Sequence, residues 1–322
     1  MLGSVHCLPI AGTRELRGLS TVGEAGAWGL LPEELAGLGV KSAHAAFAEL
    51  QRPWRWSERG PVLSQKSRAL LESRGLLLPQ ICERHVSSDG STKLLLALGT
   101  DRIETVHMPR AVGSGRVSLC LSSQVGCAMG CKFCATAQMG FRRHLGAGEI
   151  VAEVLSVVAA LGPRHPGDLT LVFMGMGEPL HNLTAVARSI QVLCRSEGLG
   201  LSPKRITVST SGLLPEMAAL ATLEARPLLA LSLNATTDEV RQELMPIGRR
   251  YPLSALRALL EGYPLRPRER ITIEYVLLAG VNDSVADAQR LAEFCAAFPH
   301  NINLIPFNAH PASPFRSPTE AQ

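Results

Sequence analysis

The chain has 322 residues, is 46 % hydrophobic and carries a formal charge of +4, which is ample material for a core that folds without staples. The small surplus of positive charge neither requires nor excludes a nucleic-acid partner. The opening stretch MLGSVHCLPIAGTRELRGLS lacks the basic start and continuous apolar core of a signal peptide, and no apolar run approaches about 18 residues, so the sequence reads as soluble, cytoplasmic and without a membrane partner.

From about residue 33 to 75 the apolar spacing is helical but interrupted by Gly37, Gly39, Pro53, Gly60 and Pro61, which predicts two or three short helices. HVSSDGSTKLLLALGTDRIETVHMP then alternates around Asp89-Gly90, the short-range signature of a β-hairpin. Together these pieces predict a small N-terminal helical and hairpin domain over residues 1–110, ending near the glycines of RAVGSGR. Over 111–322 the pattern changes. Strand-like runs VSLCLS (117–122), LTLVFM (169–174), RITVST (205–210), LLALSL (228–233), ITIEYVL (271–277) and INLIPF (302–307) alternate with helical patterns near 148–161, 182–197, 215–224, 237–245, 253–262 and 284–297. Six such alternations predict an α/β fold with a parallel sheet, as a partial (β/α)6 barrel in preference to an open doubly wound sheet.

Chemistry in parallel β/α architectures lies in the loops after the C-terminal ends of strands. The unusual residues fall there. GCAMGCKFC follows the first of the six strands, GMGEP the second, Ser209, Thr210 and Ser211 finish the third, Asn234 follows the fourth and Asn308 the sixth. Cys127, Cys131 and Cys134, at spacing x3 then x2, can converge on one centre. In a reducing compartment the eight cysteines are no argument for disulfides. A structural zinc would ask for a fourth protein ligand, and the nearest histidine is His144, ten residues beyond Cys134. A 4Fe-4S cluster held by three thiolates instead leaves one iron open for a small ligand.

C-x3-C-x2-C after the first strand of a β/α barrel resembles the radical S-adenosylmethionine (SAM) superfamily, in which the open iron binds SAM and an electron from the cluster cleaves it to a 5′-deoxyadenosyl radical. GMGEP resembles that superfamily's glycine-glutamate-proline motif. Taken as a set, DGSTKLLLALGTDRIETVHMP, LCLSSQVGCAMGCKFCATAQMGFRRHL, FMGMGEPLHN, KRITVSTSG, LSLNATTDEVRQELMPIGRRYPL, ITIEYVLLAGVNDS and NLIPFN resemble the RlmN/Cfr-type adenine methyltransferases of large-subunit rRNA and, for some members, tRNA.

The resemblance implies that Cys127, Cys131 and Cys134 ligate one 4Fe-4S cluster and that Gly177, Glu178, Ser209, Ser232, Leu233, Asn234 and Asn308 contact SAM. The plainer reading of the serines and asparagines is turn and cap chemistry, whereas Glu178, between glycine and proline, has no evident capping duty. Cys120 stands with Ser118 and Ser122 opposite the face of Val117, Leu119 and Leu121. By resemblance its thiol helps take the proton from the methylated carbon and release the product, and Glu104 is a proton acceptor; the alternatives are a small buried residue and a surface carboxylate flanked by Arg102. The remaining cysteines, Cys7, Cys82, Cys194 and Cys295, match nothing, and the last two fit buried helix positions.

The expected partners are RNA and a small electron donor, flavodoxin or ferredoxin, with a monomer as the default. Arg142 and Arg143, and Arg52 and Arg55 interleaved with Trp54 and Trp56, are candidates for phosphates and stacked bases. The family also carries its methyl group on a cysteine beyond NLIPFN, and AHPASPFRSPTEAQ, which follows here, contains none. The motif set implies methylation of an adenine ring carbon, C2 before C8; the alternatives are SAM cleavage lacking methyl transfer, for want of that cysteine, and a non-catalytic metal-stabilised RNA-binding protein.

Overall fold

The computed structural model describes residues 26–52, 62–76, 78–110, 115–162, 166–311 and 313–319. In chain order the elements are α1 (Pro32–Gly37), α2 (Ala43–Leu50), α3 (Gln65–Glu72), β1 (Gln80–Val86), β2 (Thr92–Leu98), β3 (Asp101–Pro109), β4 (Val117–Cys120), β5 (Gln124–Gly126), α4 (Ala135–Gln138), β6 (Phe141–His144), α5 (Ala147–Leu161), β7 (Leu169–Phe173), α6 (Leu183–Cys194), β8 (Ile206–Thr210), α7 (Leu214–Ala221), β9 (Leu228–Ser232), α8 (Asp238–Leu244), α9 (Leu253–Glu261), β10 (Ile271–Leu277), α10 (Val285–Cys295) and β11 (His300–Pro306). All six predicted strands and all six predicted helices are present, with α8 and α9 both between β9 and β10. The strand at 271–277 has the predicted limits, and β11 begins two residues early, at His300. No described helix is long and apolar enough to cross a membrane.

Two compact units are built from interleaved stretches, Met1–Val125, His144–Met176 and Thr184–Ile206 in one and Gly126–Arg143, Gly177–Leu183 and Thr207–Gln322 in the other. In the first, β1, β2 and β3 form an antiparallel meander. Asp89 accepts the Ser91 N–H at 2.9 Å and Gly90 takes a positive φ of 84°, which makes the predicted turn. The sequence pattern showed a hairpin; Gly99, at φ 60°, turns the chain once more and adds a third strand.

The boundary predicted near residue 110 does not separate the two units. β3 pairs antiparallel with β4, Val106 opposite Cys120, and β4 runs parallel to β7, so the meander continues into the sheet that follows. Arg188 of α6 and Arg195, just after it, also reach back to the N-terminal helices: Arg188 Nε donates to the Gly29 carbonyl at 3.0 Å, Arg188 pairs with Glu34, and Arg195 stands 2.6 Å from Glu33. The side of this sheet that bears Ile103 and Thr105 lies under α5, which is buried from Ala147 to Val158.

In the second unit β8, β9, β10 and β11 are parallel, with Ser209 opposite Ala230, Ser232 opposite Glu274, and Glu274 opposite Asn303. Alternation along each strand sorts the side chains onto two faces. Val208, Leu229, Leu231, Ile273 and Tyr275 are buried on one. Ser209, Ser232, Glu274 and Asn303 form a row on the other, an unusual composition for parallel strands, which read as apolar on both faces. A core of Leu244, Met245, Leu278 and Phe307 packs beside this sheet, with Cys131 and Phe133 against it.

Candidate active site

The three cysteines lie in the second unit, in the loop between β5 and β6, two short strands that pair as a separate ribbon. Closing that loop requires glycine at 126. Its φ is 76°, and a Cβ there would stand 1.7 Å from the Gly140 carbonyl oxygen. The Cys127 N–H donates to that same carbonyl at 3.1 Å, the Cys134 N–H to the Cys131 carbonyl at 3.1 Å, and the Lys132 N–H to the Leu244 carbonyl at the end of α8, at 2.9 Å. The loop is thus fixed by its backbone, and its thiols remain unbridged and half-buried.

Burial pushes the Cys127 thiol up to about 11, and the charges of Glu178 and Cys134 add to the effect. Cys131 is raised by burial and by its two neighbouring thiols. Three thiolates repel one another here unless something cationic neutralises them, which is the chemistry of a metal centre. Among the described residues no three His, Cys, Asp or Glu side chains converge tightly enough for a single metal ion. Three thiols in one loop are the donor set of a 4Fe-4S cluster that keeps one iron open, whereas a closed zinc site asks for four protein ligands.

Gly177, at φ 99°, leads into Glu178, which is only 4 % exposed. One Glu178 oxygen accepts the Ser211 N–H and hydroxyl, each at 2.8 Å, and the other accepts the Leu180 N–H at 3.1 Å. The last bond corrects the sequence reading: Glu178 does have a capping duty, at the start of the short 3-10 helix Pro179–Asn182. Burial raises its carboxyl, and the Ser211 donors oppose that.

Ser209 and Ser232 come together at the ends of β8 and β9, hydroxyls 3.3 Å apart. Leu233 is buried and its N–H donates to the Glu274 carbonyl at 3.0 Å. Asn234 adopts φ 57°. Its side-chain oxygen accepts the Val276 N–H at 2.8 Å and its carbonyl the Asn282 amide at 2.8 Å, so its side chain meets the plainer structural description. Asn308 lies exposed beyond β11.

Cys120 and Glu104 belong to the first unit. The Val106–Cys120 pairing sets Glu104 on the same face of the sheet as Cys120, two residues further along β3. Glu104 is 46 % exposed and pairs with Lys93 at 3.1 Å, across from β2, and not with Arg102. Cys120 is half-buried, and burial, then the charge of Glu153, push its thiol up to about 12.

Glu153 is a residue the sequence reading missed. It projects from α5, is fully buried, and its Oε1 accepts the Thr105 hydroxyl and, at 3.0 Å, the Ser122 N–H. Its Oε2 has no partner, and burial raises the carboxyl to about 8. Glu274, buried and held by the Asn303 amide at 2.7 Å, was also missed, although the Thr-x-Glu alternation in ITIEYVL signals it. Arg142 is exposed and Arg143 half-buried on β6, and Arg52 donates to the Glu197 carbonyl at 2.9 Å. Trp54, Arg55, Trp56 and Cys7 lie outside the described residues. Cys194 is half-buried and Cys295 fully buried.

A mostly parallel α/β sheet with three cysteines in one loop and a buried, fully bonded glutamate after a strand defines a radical SAM protein, and the model of the radical SAM superfamily matches residues 121–294. A solved radical SAM methyltransferase from Sphaerobacter thermophilus superposes with a TM-score of 0.82 at 37 % identity, covering 92 % of this chain and 89 % of its own. Proteins named dual-specificity RNA methyltransferase RlmN from Syntrophotalea carbinolica and Phenylobacterium zucineum are 44 % and 42 % identical, over 90 % and 87 % of this chain and 77 % and 76 % of theirs. The chain belongs to the RlmN family of radical SAM RNA methyltransferases. The superfamily implies a 4Fe-4S cluster and SAM, and the three thiols of Cys127, Cys131 and Cys134 are a donor set that fits the cluster.

Proposed function

We propose that the protein methylates a ring carbon of adenine in RNA, C2 rather than C8, in large-subunit rRNA and in tRNA. The observation that carries this is the cysteine loop beside Glu178, with a carboxylate whose donors are already in place. Two RNA classes accord with the words "dual-specificity" in the names of the relatives.

Cys127, Cys131 and Cys134 would hold the cluster, which when bound supplies the electron that cleaves SAM. Glu178, held by Ser211 and Leu180, would accept from the SAM amino group, and the Ser209–Ser232 pair offers hydroxyls on the polar face of the sheet. Cys120, with its thiol pushed up to about 12, keeps its proton at neutral pH until a substrate or base draws it off. Glu104, on the same face and paired with Lys93, is the candidate base. Arg142, exposed on β6, and Arg143 are candidates for RNA phosphates, and a flavodoxin or ferredoxin would supply the electron.

The alternative outcome is SAM cleavage without methyl transfer. Mass spectrometry of rRNA and tRNA nucleosides from cells with and without the gene separates the two. Loss of 2-methyladenosine on deletion is expected, and unchanged methyladenosine would refute the proposal.

A further inference from the structure

Arg241, on α8, is fully buried, and none of the described ion pairs includes it. Its Nη2 donates to the Ser211 carbonyl at 2.5 Å and its Nη1 to the Tyr251 carbonyl at 3.4 Å. Its Nε, equally buried, has no partner. Two carbonyls offset little of the several kcal/mol needed to take a guanidinium out of water. Asp238, three residues earlier, attracts it at longer range but bonds the Leu253 N–H at 2.8 Å instead.

Backbone on two sides leaves room for the side chain. A Cβ on Gly212 would come within 3.2 Å of Nη2, and one on Gly248 within 3.3 Å of Nη1. A cation walled in this way, with one donor unused, calls for an anion that the carboxylates among the described residues do not provide.

The cysteine loop is that anion's place. The helix that carries Arg241 ends on Leu244, whose carbonyl holds the Lys132 N–H of the loop, and Cys131 packs against Leu244 and Met245. Cys131 also lies near enough to Arg241 for its thiolate, once formed, to attract the guanidinium. On its other side the guanidinium holds the carbonyl of Ser211, the residue whose N–H and hydroxyl grip Glu178.

We propose that Arg241 is the counter-charge of the three-cysteine centre, a positioning residue that favours the reduced cluster and, through Ser211, steadies the Glu178 cradle. This rests on the assignment of Cys127, Cys131 and Cys134 as cluster ligands. Reduction by one electron, from the donor protein or from dithionite, makes the cluster more negative by one charge. A fixed cation in a low-dielectric surrounding stabilises that state more than the oxidised one.

The test is a dithionite titration of the anaerobically reconstituted protein, followed by electron paramagnetic resonance, for wild type and for Arg241→Met, Arg241→Gln and Arg241→Lys. The two neutral variants are expected to shift the reduction equilibrium roughly tenfold toward the oxidised form, about 59 mV for a one-electron couple, and the lysine variant to stay within about threefold of wild type. A wild-type potential in either neutral variant, or the same shift in the lysine variant as in the methionine one, overturns the proposal, since a merely structural arginine would not sort variants by charge.

Loss of iron from both neutral variants but not from the lysine variant would support it, and loss from all three alike would overturn it. Wild-type protein that takes up no iron would instead refute the cluster assignment itself.

Discussion

Two buried glutamates, one in each compact unit, are treated differently. Glu178 has both oxygens engaged, with Ser211 donating twice and Leu180 once. Glu153 has one oxygen engaged by Thr105 and Ser122 and the other without a partner. Burial works against the charge of both, but only Glu178 is given donors on each oxygen. A carboxylate surrounded by fixed N–H and O–H groups can remain charged opposite a ligand's ammonium group. A carboxyl with an orphaned oxygen is better off neutral. The donors supplied beforehand, more than burial, set apart the glutamate proposed to meet the SAM amino group.

The largest effect that would sharpen this contrast is expected at Glu178. Glu178→Gln keeps the shape and one acceptor but removes the charge that would face the SAM amino group. Losing one charge-assisted hydrogen bond of about 1.5–3 kcal/mol should weaken SAM binding roughly ten- to hundredfold. Calorimetric titration of the cluster-loaded protein with SAM checks this, and unchanged affinity would place the ammonium group elsewhere.

A smaller effect is expected at Glu153 and takes the form of pH dependence. Its folded-state carboxyl titrates at about 8, above the ordinary 4.5, so the folded protein holds this proton more tightly than the unfolded chain. The associated stability is fully present below the unfolded value and is lost as pH rises through about 8. Melting temperatures followed from pH 5 to 9 should fall more steeply for wild type than for Glu153→Gln, which keeps an acceptor for Thr105 and Ser122 and has no proton to lose. Parallel profiles would mean that Glu153 is ionised in the fold.

Much of this was legible in the sequence. Strand runs such as ITIEYVL and the C-x3-C-x2-C spacing are local signals, and β10 and the cysteine loop stand where those signals put them. What was missed depends on tertiary surroundings. Glu153 and Arg241 occur in helices where a charged residue ordinarily faces water, and nothing nearby in sequence reveals that both are wholly buried. The capping duty of Glu178 escaped notice because the helix it opens is a single 3-10 turn, Pro179–Asn182, too short to register as periodicity. The pairing of β3 with β4 carries the meander past the glycines of RAVGSGR, which in the sequence read as a linker.

The most direct test is an anaerobic assay of the reconstituted protein with SAM, dithionite and an adenine-containing rRNA fragment, following 5′-deoxyadenosine and methyladenosine together. Both products should appear, and Cys127→Ala, Cys131→Ala or Cys134→Ala should abolish both. Neither product from iron-loaded wild type would contradict the account; 5′-deoxyadenosine alone would keep the cluster and SAM site and remove methyl transfer.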